Sequence, residues 1–433
     1  MPGGLAGKAA GRPAGGEDEP DVLVIGAGIA GLCCAHFLRQ AGYSVTVADR
    51  AAVGDPSACS SGNTGFLGAG AGPLDGTLLG GMRSAMRPDD RLALPPTLDP
   101  DRLRWFWHCR RAGRDGSVRL RSATAIQALK QRSQQLMDEL AGLGYTASGM
   151  VHAYRTAEAF ALALATLPRL VAAGIPLRKL SADELRELEP DAEFTIAGAL
   201  HNPVAGFFAT PDFTLALARL LVERGVRIRQ HSPVDGFRMS GGAIAEVRTG
   251  SDTIRPREVV IAAGAWSGQL TRLLGLRVPV QPVRGHSITV QGPENAPRRP
   301  VLLVEGTVAM RPHGDRLRFG GDLTLIGLDA GMSRRRIARL LATVHDHLPT
   351  LRWTGQPEVW TGFRPCTPDS LPMLGRVPGY ANLTIATGHG HSGMGLAPAS
   401  GELIAQLLSD RQPLIDPTPF RPDRFLPARR RSS

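Results

Sequence analysis

The chain contains the stretch Asp21-Val-Leu-Val-Ile-Gly-Ala-Gly-Ile-Ala-Gly-Leu32, which carries its strongest structural signal. An apolar strand runs into Gly26, Gly28 and Gly31, and Val45-Thr-Val-Ala-Asp49 follows about one helix later. A dinucleotide-binding turn needs glycine for the turn itself, for backbone approach to a pyrophosphate, and for helix packing on the strand. The N–H groups at the start of that helix would face the anion. The order predicts a dinucleotide-binding βαβ unit, although a helix packed tightly on a sheet would also use such glycines.

Composition limits the class of protein. The chain has 433 residues, of which 42% are hydrophobic and 21% charged, as expected for a soluble protein with two domains of ordinary size. Its apolar runs are shorter than the roughly 20 residues of a membrane span. Residues 1–20 lack the apolar core of a secretory signal and are predicted to form a disordered tail. The five cysteines show neither metal-ligand spacing nor a disulfide framework, which favours a cytoplasmic location and no metal.

The net charge of +11 raises nucleic acid or an anionic membrane as a partner. The basic residues are spread along the chain and are nearly all arginine, so no nucleic acid is expected. The segment 413–433 is different, because it ends in Arg429-Arg-Arg431. It is predicted to be a basic C-terminal tail, either solvated or in peripheral contact with a phosphate or a lipid surface.

Several elements follow from local pattern. Glycine and proline recur from Gly54 to Pro100 and predict a long loop region. Helical spacing returns from about Ser117 to Leu143, with one apolar face formed by Leu120, Ile126, Leu129, Met137 and Leu140. The fully apolar run Val259-Val-Ile-Ala-Ala263 is typical of a parallel sheet covered on both faces. A place beside the first strand would put Ala263 and Gly264 near the dinucleotide.

A second glycine-rich turn, Thr387-Gly-His-Gly-His-Ser-Gly-Met-Gly395, again joins an apolar strand to a helix. One such turn serves one pyrophosphate, so a second turn suggests a different anion. A reduced flavin provides one, because negative charge develops at its N1 and C2 carbonyl and a helix N-terminus stabilises it. An ordinary βα loop is the alternative.

Four segments together resemble the FAD-dependent D-amino-acid dehydrogenases and oxidases of the glycine-oxidase and sarcosine-oxidase superfamily, most closely the bacterial D-amino-acid dehydrogenases. They are the first fingerprint, Cys59–Gly65, Gly362–Asp369 and Gly388–Gly393. The resemblance covers nearly the whole chain after residue 20. It implies an α/β fold with a Rossmann-like FAD-binding domain built from discontinuous segments, 21–100, 205–270 and 358–412. An inserted, mostly antiparallel β (α+β) substrate domain with a helical insertion would take 101–204 and 271–357.

The resemblance implies that FAD is bound noncovalently, because the cysteine that some sarcosine oxidases use for attachment would fall at Gly362. Relatives place a segment like Ser60–Gly65 along the flavin, where their usual Asn-Ala-Gly is replaced here by Asn63-Thr64-Gly65. The residues expected to contact the cofactor are Gly26, Gly28, Ile29, Ala30, Gly31, Asp49, Arg50, Ser60, Ser61, Asn63, Thr64, Gly65, Val234, Ala263, Gly264, Trp266, Gly388, Gly390, His391, Ser392, Gly393 and Met394.

Three residues are expected at the reacting centre. The resemblance places Arg364 against the substrate carboxylate, for which a guanidinium offers a planar, always charged fork. A structural ion pair with Asp369 is the alternative. His389 and His391 are expected either to donate hydrogen bonds near the flavin edge or to act as acid and base.

The implied reaction is oxidation of the Cα–N bond of a D-amino or cyclic imino acid. A hydride would pass from the α-carbon to flavin N5, and the imine would hydrolyse to a 2-oxo acid. Two electron acceptors stay open: a dehydrogenase would use a quinone or an electron carrier, with peripheral contact at the inner face of the membrane, whereas an oxidase would make hydrogen peroxide. A nicotinamide-dependent dehydrogenase and a nucleic-acid-associated protein are rival interpretations.

Overall fold

The structure is a computed structural model, and it describes residues 19–67, 92–93, 99–114, 116–137, 139–140, 142–172, 174–325, 327–328 and 332–425. The predicted tail at 1–18, most of the predicted loop at 68–98, and residues 426–433 lie outside these ranges. Within them, every helix is too short or too polar to cross a lipid bilayer.

The strands of the described residues, in chain order, are β1 (Val22–Ile25), β2 (Val45–Ala48), β3 (Phe66–Leu67), β4 (Leu92–Ala93), β5 (Tyr145–Ala147), β6 (Met150–Tyr154), β7 (Arg178–Leu180), β8 (Gly198–Asn202), β9 (Gly206–Phe208), β10 (Arg227–Arg229), β11 (Val234–Ser240), β12 (Ala243–Thr249), β13 (Asp252–Ile254), β14 (Glu258–Ile261), β15 (Gln281–Glu294), β16 (Val301–Leu303), β17 (Val308–His313), β18 (Arg316–Thr324), β19 (Arg352–Cys366), β20 (Met373–Arg376) and β21 (Leu383–Thr387). The helices are α1 (Ile29–Gln40), α2 (Pro100–Arg114), α3 (Gly116–Gln135), α4 (Ala157–Ala172), α5 (Ala182–Leu188), α6 (Asp212–Glu223), α7 (Ser267–Arg272), α8 (Arg334–His347) and α9 (Gly393–Leu408).

The first sheet has the strand order β10-β2-β1-β14-β21-β20. All neighbours pair in parallel except β20, which runs antiparallel to β21. The strands β1, β2, β14 and β21 are almost wholly buried, because α1 and α9 cover one face and the apolar side chains of the other face form a second core. This arrangement confirms the predicted Rossmann-like sheet and the predicted position of the Val259–Ala263 run beside the first strand.

The second large sheet is mostly antiparallel, with the order β19-β15-β18-β17-β16-β6-β8-β7 and β4 paired with β18. Its two long strands, β15 and β19, pair from Gln281↔Cys366 to Glu294↔Arg352. The predicted domain limit between residues 357 and 358 therefore lies inside β19. The α/β fold class with a separate antiparallel β domain is confirmed.

The helical region differs from its prediction. The sequence pattern predicts helical spacing from about 117 to 143, whereas α3 ends at Gln135 and is preceded by α2, a helix that the pattern does not predict. Leu129, Met137 and Leu140 are buried as expected, but Leu120 is 71% exposed. With about 3.6 residues per turn, Leu120 lies about half a turn away from the buried Leu129, so it is on the outer side of α3. Contact with α9 is made further along, where Ser133 Oγ accepts from Ala399 N at 3.2 Å.

The described part of the C-terminal segment packs on the protein. Phe420 is fully buried, and Arg424 donates to both carboxylate oxygens of Asp369, at 2.8 and 3.2 Å. Arg424 also donates to the carbonyl oxygens of Leu371 and Pro372. Residues 413–425 are thus held against the first sheet.

Candidate functional site

Three turns meet at one edge of the first sheet. Because β1, β14 and β21 are parallel neighbours, their carboxyl ends lie side by side, which is where open α/β sheets bind ligands. The turns that leave this edge are Gly26–Gly28, Ala263–Gly264 and Gly388–Gly390. Thr387 Oγ1 joins two of them, accepting from Ser267 Oγ at 2.8 Å and donating to Gly264 O at 3.1 Å.

The three glycines of the first turn have different surroundings. Gly26 has a φ of +116°, and a Cβ there would contact the Ala262 carbonyl oxygen. A Cβ on Gly31 would overlap the carbonyl oxygen of Gly26, so close helix–strand packing requires this glycine. A Cβ on Gly28 would contact only Ser60 Oγ, at 3.9 Å. Protein packing therefore does not demand glycine at position 28, whereas backbone approach to a phosphate does.

Two of the expected cofactor-contact residues, Asp49 and Arg50, lie just after the end of β2. The carboxylate of Asp49 accepts from Ala27 N at 2.6 Å and from Ala51 N at 2.9 Å. Its backbone carbonyl accepts from Ser232 N at 2.7 Å, which brings the chain leading to Val234 alongside. The guanidinium of Arg50 stacks 3.8 Å above the Trp266 ring, which joins two more predicted contact residues.

The second glycine turn combines one crowded and one open glycine. Gly388 has a φ of +83°, and a Cβ there would overlap Thr367 Cγ2. Gly390 has a φ of +56° but would place its Cβ in contact with nothing within 4 Å. The following helix, α9, crosses α1 so closely that a Cβ on Gly401 would contact the Cys33 backbone. Gly390 thus resembles Gly28, because in both cases the space beside the glycine backbone is not filled by protein atoms.

Neither α1 nor α9 has a side-chain cap at its N-terminus. Their first flanking residues are Gly28 and Ser392, and no side chain accepts a hydrogen bond at either position. Unsatisfied N–H groups and the helix dipole favour negative charge at both places.

The two histidines of the second turn differ in exposure but share a low pKa. His389 is buried, its Nε2 lies 3.1 Å from Ser400 Oγ, and burial lowers its pKa to about 4. His391 is exposed at the turn, yet the surrounding protein, followed by the charges of Lys130 and Arg364, lowers its pKa to about 4. Both rings are therefore neutral at pH 7, which suits hydrogen bonding better than storage of a proton.

The low pKa of His389 predicts a pH-dependent stability. The unfolded chain binds this proton near pH 6.5 and the folded chain near 4, so the stabilising contribution is complete above pH 6.5 and is lost as the pH falls to 4. For His389 alone the loss is at most about 3 kcal/mol. We expect His389→Gln to reduce the difference in urea-unfolding free energy between pH 7 and pH 4.5. His345→Gln, at an exposed position, is the matched control; equal pH dependence in both variants would contradict a buried, neutral His389.

The segment from Ser60 to Gly65 lies beside both the first and the second glycine turn. Ser60 and Ser61 are buried, and Asn63 Oδ1 accepts from Gly65 N at 2.7 Å. The strand that follows reaches the second turn, where a Cβ on Gly395 would lie 2.9 Å from the Phe66 carbonyl oxygen. The predicted flavin segment and the second glycine turn are therefore neighbours.

Two arginines, the buried Arg311 and the partly buried Arg318, support this segment and were not selected from the sequence. Arg318 donates to the carbonyl oxygens of Ser61 and Thr210, at 3.1 and 3.2 Å, and Arg311 donates to Thr210 at 3.2 Å. Thr210 Oγ1 in turn donates to Asn63 O at 2.6 Å. Burial, with a contribution from Arg318, lowers the pKa of Arg311 to about 9. These long-range contacts carry no local sequence signal.

Arg364 lies on the face of β19 that covers the Ser60–Gly65 segment. Trp360, two positions before Gly362, packs so closely that a Cβ on Gly62 or Gly362 would overlap its ring. Arg364 follows on the same face, and its guanidinium lies over Gly285 of β15. An isolated bridge between Cys366 and His389 joins the end of β19 to the second turn. The strand thus carries Arg364 to the place where the three segments meet.

Asp369 forms its ion pair with Arg424, and not with Arg364 as in the alternative raised by the sequence. Its two carboxylate oxygens accept from Arg424, and both side chains are largely buried. Arg424 therefore fills the structural role that the sequence left open for Arg364.

A buried lysine near the second turn was also missed. Lys130 of α3 is 9% exposed, and burial lowers its pKa to about 8. Its charge contributes to the low pKa values of both His391 and His152. The only sequence signal was its rarity, because the chain has three lysines among 50 basic residues.

The residues present fit an elongated anionic dinucleotide with a flavin ring. Gly28, Gly264 and Gly390 leave open space beside their backbones along one sheet edge. Two uncapped helix N-termini border that edge. Among the described residues, no group of His, Cys, Asp and Glu is arranged to hold a metal ion.

Comparison with known proteins agrees with this geometry. Residues 21–407 match the family model described as DAO, FAD dependent oxidoreductase. Glycine oxidase from Geobacillus kaustophilus superposes with a TM-score of 0.74 at 24% identity, covering 93% of this chain and 98% of its own. L-proline dehydrogenase from P. horikoshii gives 0.71 at 20%, covering 94% and 98%. Iminodiacetate oxidase from Chelativorans sp. BNC1 gives 0.70 at 23%, covering 93% and 98%. The chain therefore belongs to the DAO family of FAD-dependent oxidoreductases, and its cofactor is FAD.

Proposed function

We propose that this flavoprotein oxidises the Cα–N bond of a D-amino acid or a cyclic imino acid and works as a dehydrogenase. The observation that carries the proposal is the position of Arg364, on the sheet face that covers the Ser60–Gly65 segment and beside the second glycine turn. A guanidinium at this place suits a substrate with a carboxylate next to the reacting carbon. Structural neighbours whose names refer to glycine, proline and iminodiacetate support an amino- or imino-acid substrate.

The residues of the chain would mainly bind and orient. Arg364 would hold the substrate carboxylate and so fix the α-carbon. The backbone N–H groups of Gly390–Met394 would face negative charge at the pyrimidine edge of the ring. When bound, FAD would supply the two-electron acceptor for the α-hydrogen of the substrate, and the amine proton would leave to solvent. Neutral His389 and His391 are consistent with a substrate that arrives as the free amine and needs no strong base.

We infer that FAD is held without a covalent bond. Cys366 is buried, and burial raises the pKa of its thiol to about 12; burial also raises the pKa of Cys59. A thiol that stays protonated is a poor nucleophile for attachment. We expect acid precipitation of the purified protein to leave all yellow colour in the supernatant. Colour retained in the washed precipitate would contradict noncovalent binding.

The substrate class is tested by anaerobic bleaching of the flavin absorbance. The panel contains D-amino acids, D-proline, hydroxyprolines, glycine and sarcosine, together with the L-enantiomers. We expect bleaching by one group of D-amino or cyclic imino acids. Bleaching by L-enantiomers alone would show that the substrate is an L-amino or L-imino acid and contradict the proposed D configuration. The absence of bleaching by every compound in the panel would refute the proposed function.

The electron acceptor is tested by peroxide yield. We expect much less than one hydrogen peroxide per substrate oxidised in air, and faster turnover with an added quinone. Stoichiometric peroxide would instead assign the protein as an oxidase of the glycine, sarcosine or D-proline type.

A further inference from the structure

We propose that the substrate carries a second carboxylate, and that the buried guanidinium of Arg311 binds it while Arg364 binds the first. The substrate is then an amino- or imino-dicarboxylic acid rather than an acid with an apolar or neutral side chain. This assignment rests on the proposed function, because it adds a second contact within the same substrate site. It can nevertheless fail by itself, since it concerns only the chemistry of the substrate side chain.

Arg311 carries a buried positive charge that no carboxylate of the described residues neutralises. Its side chain is fully buried, and Nη2 donates to the carbonyl and hydroxyl oxygens of Thr210, both at 3.2 Å. Within the described part of the chain, Nε and Nη1 have no hydrogen-bond partner. Asp212 is near enough to act on Arg311 electrostatically, but it lies 3.5 Å from His313 Nε2 instead of forming an ion pair with Arg311. A buried guanidinium is costly unless it is paired, so Arg311 calls for an anionic ligand.

A second arginine adds to the positive charge at this position. Arg318 is the cross-strand partner of Arg311, so both side chains lie on the same face of the second sheet. Arg318 donates to Thr289 Oγ1 at 3.0 Å and to backbone oxygens, which are all neutral. Glu358, opposite Thr289, instead accepts from Gln291 Nε2 at 3.4 Å. The two guanidinium groups therefore form a positively charged surface.

The strand register puts Arg364 on the same sheet face. Strand β15 alternates regularly between the two faces over residues 283–289. Arg364 pairs with the first of these residues and Arg318 with the last, so the two arginines share a face. The Arg364 guanidinium lies against Gly285, four residues and about 13 Å of strand from Thr289. A short dicarboxylic acid fits between the two positions, because a guanidinium–carboxylate pair at each end takes up part of this distance.

Small side chains line the space between the two positively charged positions. Ser287, Gly320 and Ala309 are cross-strand partners on β15, β18 and β17, so they form one row across the same face. Ser287 Oγ is buried and has no hydrogen-bond partner among the described residues. Ala309 is only partly buried, so protein atoms leave room above it. The row can therefore take the carbon chain of a ligand, with Ser287 Oγ free to form a hydrogen bond with it.

The first test measures binding of unreactive carboxylates to the holoprotein through the change in flavin absorbance. Glutarate and pentanoate have the same carbon chain and differ by one carboxylate. We expect glutarate to bind the wild type at least about tenfold more tightly than pentanoate does. Arg311→Met should remove this preference, and Arg311→Lys should restore part of it because it restores the charge. Equal affinities for the two acids in the wild type would overturn the proposal, whether or not any variant folds.

The second test compares kcat/KM for D-glutamate, D-glutamine and D-norvaline. We expect D-glutamate to exceed D-glutamine by about 100-fold in the wild type, and Arg311→Met to lower the D-glutamate value by about the same factor while leaving D-norvaline unchanged. The matched control is Arg316→Met, on the same strand as Arg318 with a side chain that is 42% exposed. It should alter neither value. Flavin content and circular dichroism confirm that each variant is folded.

The outcomes separate this assignment from the proposed function. Bleaching by monocarboxylic amino acids only, with equal affinities for glutarate and pentanoate, would overturn the second carboxylate and leave the proposed function standing. If no amino or imino acid bleaches the flavin, the proposed function fails, and the preference for glutarate still decides whether Arg311 holds an anion. An equal loss of activity with every substrate in Arg311→Met would assign Arg311 a structural role through Thr210 and overturn the proposal.

Discussion

Replacing Arg364 by leucine is expected to lower kcat/KM for the amino- or imino-acid substrate by about 10² to 10⁴-fold, because removal of one partner from an enclosed ion pair costs about 3–5 kcal/mol. The yellow colour should remain, since Arg364 lies on β19 rather than in either glycine turn. Turnover with an artificial electron acceptor and anaerobic titration of bleaching measure the effect. Arg364→Lys should recover part of the activity, because it restores charge but not the planar fork.

A matched control comes from the same strand. Arg352, also in β19, is exposed, and Arg352→Leu should leave kcat/KM unchanged. Gly285→Ala offers an independent check, because its Cβ would overlap Nη1 of Arg364 and displace the guanidinium. Unchanged substrate affinity in Arg364→Leu would remove the proposed carboxylate contact.

Replacing Gly28 by alanine is expected to weaken FAD binding by about 10- to 100-fold while the apoprotein stays folded. Its φ of −71° is open to any residue, and a Cβ would contact only Ser60 Oγ. The added methyl group would instead occupy the path of the pyrophosphate past the backbone. Titration of apoprotein with FAD, followed by fluorescence quenching, measures the change.

Gly31→Ala separates the two uses of glycine in the same turn. A Cβ on Gly31 would overlap the Gly26 carbonyl oxygen. This variant should therefore lower the free energy of unfolding of the apoprotein by about 1–3 kcal/mol, measured by urea unfolding. Equal apoprotein stability in the two variants, or normal FAD affinity in Gly28→Ala, would contradict the roles assigned to these glycines.

The parts of the fold that could be predicted are those with a strong local pattern. The strand, glycines, helix and acid of residues 21–49 form β1, α1 and β2 as expected. The fully apolar run before Gly264 becomes β14 beside β1, and the second glycine turn joins β21 to α9. In each case a glycine spacing or an apolar run of fixed period determines the local structure.

The parts that could not be predicted depend on contacts between distant residues. Nothing near Asp369 in the sequence indicates that Arg424, 55 positions later, pairs with it. The burial of Lys130 and of Arg311 follows from the way whole elements pack. The predicted apolar face includes Leu120, but Leu120 is exposed because it lies about half a turn away from the buried Leu129.

The central claim is that the flavin lies between two glycine turns about 360 residues apart, with its pyrophosphate at the first and its pyrimidine edge at the second. A crystal structure of the holoprotein tests it most directly. We expect the pyrophosphate beside Gly28 and the start of α1, and the pyrimidine edge beside the backbone of Gly390–Met394. A flavin ring remote from Gly390–Met394 would contradict the account.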